Sequence, residues 1–259
     1  MSFTAILKGT WTDFLSAVQF LTRFPVPSQP YRPDSLARAV KFFPFIGLLV
    51  GVGAAALNVL LVPHLSKLPI AFLLVLYLIL ITGCLHEDGL ADAADGFGGG
   101  RDREHILQIM RDSHIGVYGA AALILSVVGR VILLSALSPQ QIAAYLISAH
   151  VLCRWTMLPL SYFLPAARPP APNYIDGQGA RIAQLTTRGT LVAGTLVSFA
   201  IVVFALRSRS LAPILVAFAV TLCSALYYKR RILGVTGDCF GATCQLTEIA
   251  VYLCGAWIL

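Results

Sequence analysis

Seven of the chain's twelve acidic residues fall between Glu87 and Asp112, and the densest stretch runs LHEDGLADAADGFGGG from Leu85 to Gly100. Drawn as a helix, Asp88, Asp92 and Asp95 (i, i+4, i+7) lie within about 60° of one another. Three carboxylates on one stripe repel unless a cation lies between them, and a merely solvated face usually mixes both charge signs. Hard oxygen donors at this spacing suit Mg²⁺ or Mn²⁺, with water and phosphate completing the shell. Glu87 sits about 100° round from Asp88, as a supporting carboxylate or a base, and His86 either orients a carboxylate or is an ordinary interfacial residue.

The residues after this stripe extend the same chemistry. Gly98-Gly99-Gly100 either bring backbone N–H groups to phosphate oxygens or form a hinge. Arg101, Arg103 and Arg111 are phosphate-binding candidates, and Asp112 with His114 either polarises a hydroxyl or caps a helix. Asp238, between Gly237 and Gly241, reads equally as an N-cap or as a contact to substrate or metal. Arg154, one turn after His150, is a candidate for reaching a phosphate or an aspartate. Arg130 pairs most simply with Glu248.

These residues need a scaffold, and composition says which. Of 259 residues 58% are hydrophobic and 12% charged, against roughly 25% charged in soluble domains, and the mean hydropathy is +0.79. The apolar residues come in long blocks, as in an all-α, polytopic membrane bundle of one domain, 1–259. Seven spans are expected near 42–62, 68–85, 119–137, 140–160, 189–206, 211–228 and 240–259, with Pro44 and Pro159 placed to kink or shorten two of them. Before them, 1–41 forms an N-terminal cytoplasmic or interfacial segment. Trp11, Phe14, Leu15, Val18 and Leu21 make an apolar helical stripe there, for a helix in the membrane interface or packed on the bundle. Pro25, Pro27, Pro30 and Pro33 stiffen the connection, and Asp34 or Ser35 caps a short helix leading to Lys41.

Base placement orients the bundle. With the N-terminus in the cytoplasm, fourteen bases fall in inside segments and three outside, as the positive-inside rule requires. The acidic stretch, the 161–188 loop and the 229–239 loop then share the cytoplasmic face. The net charge of +7 is dispersed without interleaved aromatics, which argues against nucleic acid as a partner. The six cysteines form no CxxC pair and read as small apolar fillers. The N-terminus lacks the pattern of a cleaved signal, and there is no internal repeat.

The order of these blocks resembles the cobalamin synthase family, the adenosylcobinamide-GDP ribazoletransferases. The resemblance is carried by Phe20-Leu21-Thr22-Arg23-Phe24-Pro25-Val26-Pro27, Phe43-Pro44-Phe45-Ile46-Gly47, His86 through Gly96, Arg111 through Gly116, Thr236-Gly237-Asp238 and Gln245-Leu246-Thr247-Glu248. Three positions depart from it: Glu87 stands where leucine is common, Ala93 where threonine or serine is frequent, and His114 where arginine is common. The resemblance implies a Mg²⁺-dependent enzyme of a prokaryotic cytoplasmic membrane. It would join adenosylcobinamide-GDP to α-ribazole, or to its 5′-phosphate, and release GMP. It leaves room for a homo-oligomer or for other corrinoid enzymes docked on the cytoplasmic face. Asp88, Asp92 and Asp95 would hold metal, with Glu87 or Asp112 accepting the attacking hydroxyl's proton. Two other readings share some features. A CDP-alcohol phosphotransferase would carry an Asp-Gly-x-x-Ala-Arg core, and here Asp88-Gly89 is followed by Leu90-Ala91-Asp92 with no arginine in place. An ion-coupled transporter would show inverted repeats with broken helices.

Overall fold

The computed structural model describes residues 3–27, 38–168 and 186–257, all helix, turn and irregular chain apart from one isolated bridge between Ala166 and Val235. The expected cap at Asp34 or Ser35 and most of the 161–188 loop lie outside the described residues. Helix α1 (Phe3–Leu21) leads to a 3₁₀ turn (Val40–Phe42), then α2 (Phe43–Leu61) and α3 (Lys67–Thr82). The acidic helix α4 (Leu85–Gly99) and the short α5 (Arg103–Ile109) come next. Beyond them lie α6 (Val117–Ala136), α7 (Ile142–Trp155), α8 (Met157–Phe163), α9 (Arg188–Leu206), α10 (Leu211–Ile232) and α11 (Gly237–Ala256).

Each of the seven apolar stretches carries a helix. Among the described residues, four helices are long and apolar enough to cross a membrane: α2 with its 3₁₀ turn, α6, α9 with the 3₁₀ turn after it, and α10. A fifth is reached only if α3 and α4 count as one bent span. The fourth expected span is two helices, broken at Thr156. Pro159 explains the break, because it has no N–H for the carbonyl of Trp155 and its ring crowds that carbonyl.

Asp13 receives Lys41 Nζ at 2.9 Å and Arg38 Nε at 3.1 Å, and Phe14 rests on Phe42 and Phe45. These contacts fasten α1 to the bundle while Trp11 stays exposed. Gly47 and Gly51, one turn apart, lie against the backbone of α7 at His150 and Ile147, the close small-residue packing common between apolar helices. Helix α11 runs among α4, α6, α7 and α10, so the polar groups it carries meet those of its neighbours.

Candidate functional site

Helix α3 stops at Thr82 because Gly83 (φ 63°) and Cys84 (φ 62°) are both left-handed. Gly83 N–H donates to Leu80 O and Cys84 N–H to Ile79 O, closing α3 in the manner of a Schellman cap. The chain then leaves at 88° as α4. The acidic stripe is therefore a helix of its own, turned away from the apolar helix before it, rather than that helix's last turn.

Along α4 the three aspartates part company. Asp88 is exposed, Asp92 half-buried and Asp95 buried. Asp95 Oδ2 accepts from Gly116 N–H at 2.7 Å and Oδ1 from Gly119 N–H at 2.9 Å. Gly116 is the N-cap of α6 and Gly119 lies in its first turn, where orphan donors and the positive dipole end favour a carboxylate. Asp95, expected as a metal ligand, thus spends both oxygens capping α6.

A fourth carboxylate arrives where α4 crosses α11. A Cβ on Gly89 would lie 3.0 Å from Asp238 O and 3.1 Å from Gly241 Cα, so glycines on both helices allow the backbones to touch. That contact brings Asp238 to Asp88 and Asp92. Asp238 is not the N-cap of α11; Thr236 is, accepting from Cys239 N–H at 3.3 Å and donating to Asp238 Oδ2 at 3.1 Å. Burial, then the charges of Asp238, Asp88 and Asp95, push the Asp92 carboxyl up to about 7, against the pull of Arg168. Sequence alone marks Arg168 only as one of the inside bases. Among the described residues no three His, Cys, Asp or Glu side chains form a ready-made metal cage.

The other expected site residues separate into two groups. Glu87 faces the bundle interior, where its Oε1 accepts from Arg130 Nη2 at 2.9 Å and Gln245 Nε2 at 3.1 Å. Glu248 stands 3.6 Å from Arg130 Nη1, so the expected pairing is present with Glu87 as the nearer partner. His86, Glu87, Arg130, His150, Arg154, Gln245 and Glu248 line one small cavity of about 10 Å³, the room of a single water. None of the four aspartates lines it. Arg154 belongs to that cavity, bonded to His150 O at 3.3 Å and His150 Nδ1 at 3.2 Å, with no described aspartate as its ion pair.

The rest lie on the exposed side. Arg103 donates to Ile232 O at 3.0 Å and Ala167 O at 2.7 Å, tying segments together. Arg101 and Arg111 are exposed. Asp112 is exposed and accepts from His114, whose Nδ1 lies 2.6 Å away; that bond holds the carboxyl below the usual range. Gly98 and Gly99 are helical, and Gly100 N–H donates to Gly96 O at 2.9 Å. The glycine run therefore extends α4, packed on Tyr118 and Ile106, rather than forming an open loop.

A helical bundle with membrane-crossing character and an acidic helix locked across its last helix is the class these features define. Residues 13–256 match the model of the cobalamin-5-phosphate synthase family, and the chain belongs to that family. Among its relatives is an adenosylcobinamide-GDP ribazoletransferase from Sinorhizobium medicae, 43% identical over 95% of this chain and 96% of the relative. One from Polaromonas is 36% identical over 93% and 95%, and one from Pseudoalteromonas atlantica 34% identical over 96% and 93%. No solved structure matches.

Proposed function

We propose that the chain joins adenosylcobinamide-GDP to α-ribazole, or its 5′-phosphate, at the crossing of α4 and α11, releasing GMP. Family membership supports the reaction. The observation that carries the site is the meeting of Asp88, Asp92 and Asp238 across the Gly89–Gly241 contact. Half-buried Asp238 and Asp92, with exposed Asp88 beside them, fit a hard cation that takes one or two carboxylates plus water and phosphate oxygens. Asp88, Asp92 and Asp238 are the residues that would hold Mg²⁺. When bound, the cation would neutralise charge on the diphosphate and on departing GMP.

The ribazole hydroxyl oxygen bonds to the phosphorus attached to cobinamide, the bond from that phosphorus to the bridging oxygen of GMP breaks, and the hydroxyl proton passes to water. Arg101 and Arg111, both exposed, are the candidates for holding the substrate's phosphates. Glu87 and Arg154, committed to the interior network, act on the site through α4 and α7. In place, the bundle would use seven helical spans in a prokaryotic cytoplasmic membrane, N-terminus and site facing the cytoplasm, with α1 against the interface.

Membranes carrying the chain, given adenosylcobinamide-GDP, α-ribazole and Mg²⁺, are expected to form adenosylcobalamin and GMP in equal amounts. Solute flux without GMP would support the transporter reading instead.

Two further expectations arise here. Gly89→Leu would force α4 off Asp238; displacement of a site by about 1 Å costs on the order of 10²-fold in rate, read as GMP formed per minute by equally folded protein. The pH dependence has a definite sign. A carboxyl raised to about 7 favours the folded state while protonated, so that contribution is lost as pH rises through 7, and a cation restores it. Cation affinity should fall about tenfold from pH 8 to pH 6 as protons compete for Asp92. Mn²⁺ titrations followed by electron paramagnetic resonance at the two pH values measure this.

A further inference from the structure

We propose that Arg168 is the resident counter-ion of the acidic crossing and passes to the substrate's diphosphate when a divalent cation takes its place. The inference rests on the reading of Asp88, Asp92 and Asp238 as a cation site.

The geometry begins in the chain on either side. Ala167 N–H donates to Val235 O at 2.9 Å and Val235 N–H to Pro165 O at 2.9 Å, so 165–167 runs beside the strand-like residue that precedes Thr236 and Asp238. Gly234 makes room, since a Cβ there would meet Pro165 O. Arg103 fastens the same join from α5, through Ile232 O and Ala167 O. Arg168 is half-buried and its Nη2 donates to Leu107 O at 2.8 Å. The bridge to Val235 and helix α5 therefore hold the chain just before Arg168 and one of its guanidinium nitrogens next to the start of α11. From there its positive charge acts on both Asp92 and Asp238.

A guanidinium in that place has two partners of opposite consequence. Before substrate it offsets carboxylate repulsion, and so competes with any cation for the same charges. A diphosphate brings new negative charge to the crossing, and the planar fork of arginine suits phosphate oxygens. One residue thus disfavours the cation alone and favours the cation with diphosphate.

Arg168→Gln separates these effects, because it should move two constants in opposite directions. Mn²⁺ binding to substrate-free protein in detergent, followed by electron paramagnetic resonance, should tighten several-fold. KM for adenosylcobinamide-GDP should rise about tenfold or more, the loss expected for a charged hydrogen bond. Arg168→Lys, which keeps the charge without the fork, should leave Mn²⁺ binding near the unaltered value while KM still rises. Both constants unchanged, or both weakened together as a merely structural role would give, overturns the inference while leaving the cation site standing. Unaltered protein that binds no Mn²⁺ overturns the cation reading, and this inference with it.

Discussion

Asp92→Asn is expected to cut GMP release in membranes by on the order of 10²–10³-fold, the range for losing a group that steadies transition-state charge. Asp92 is central because it stands at the meeting of α4 and α11, pushed up to about 7 by burial and three aspartates. Asparagine keeps the shape and removes the charge, so the helix crossing should survive while the cation loses a ligand. Asp95→Asn is the instructive contrast. One amide oxygen can still accept from Gly116 or Gly119, and losing a cap typically costs about 1 kcal/mol. Its effect should fall on thermal stability first, with turnover of the folded fraction within a few-fold. Near-normal turnover by Asp92→Asn at saturating Mg²⁺ would remove Asp92 from the chemistry.

The second large effect is on folding. Arg130 is 1% exposed, with Glu87 at 2.9 Å and Glu248 at 3.6 Å, and Gln245 joins Glu87 to Ser126. Arg130→Met leaves two carboxylates buried without their cation. Breaking a buried pair in this way costs about 3–5 kcal/mol. Adding Glu87→Leu removes one stranded charge and should recover a substantial part of the loss, since apolar groups replace buried pairs at little cost. Thermal unfolding of both variants in the same detergent measures this. A double variant no more stable than Arg130→Met would show that Glu87 is not the partner that matters.

The helical character was legible because long apolar blocks admit little else, and every block carries a helix. The acidic stripe was legible too, since spacing alone puts Asp88 and Asp92 on one face. What spacing could not show is which neighbour each face meets. Asp95 looks like its two companions along the helix, yet the N-terminus of α6 takes it. Glu87 is one residue from Asp88, and a step of about 100° turns it inward to Arg130. The turn between α3 and α4 depends on Cys84 adopting a left-handed conformation, which cysteine does not advertise. Arg154 is legible from its distance to His150 in the chain, and the fold uses that bond to bury it. Arg168 carries no local signal, because its partners arrive through the bridge to Val235. The Gly237–Gly241 spacing around Asp238 was the available clue to the crossing, and only the packing of Gly89 on Gly241 gives it meaning.

The claim that the crossing holds a cation against the diphosphate is tested most directly by Mn²⁺ bound together with adenosylcobinamide-GDP. Pulsed electron paramagnetic resonance would read the coupling between the manganese electrons and ³¹P. Phosphorus coupling is predicted in the unaltered protein, and its loss when Asp88 and Asp92 are both changed to Asn. The same coupling persisting in that double variant, in folded protein, would contradict a cation site at the crossing.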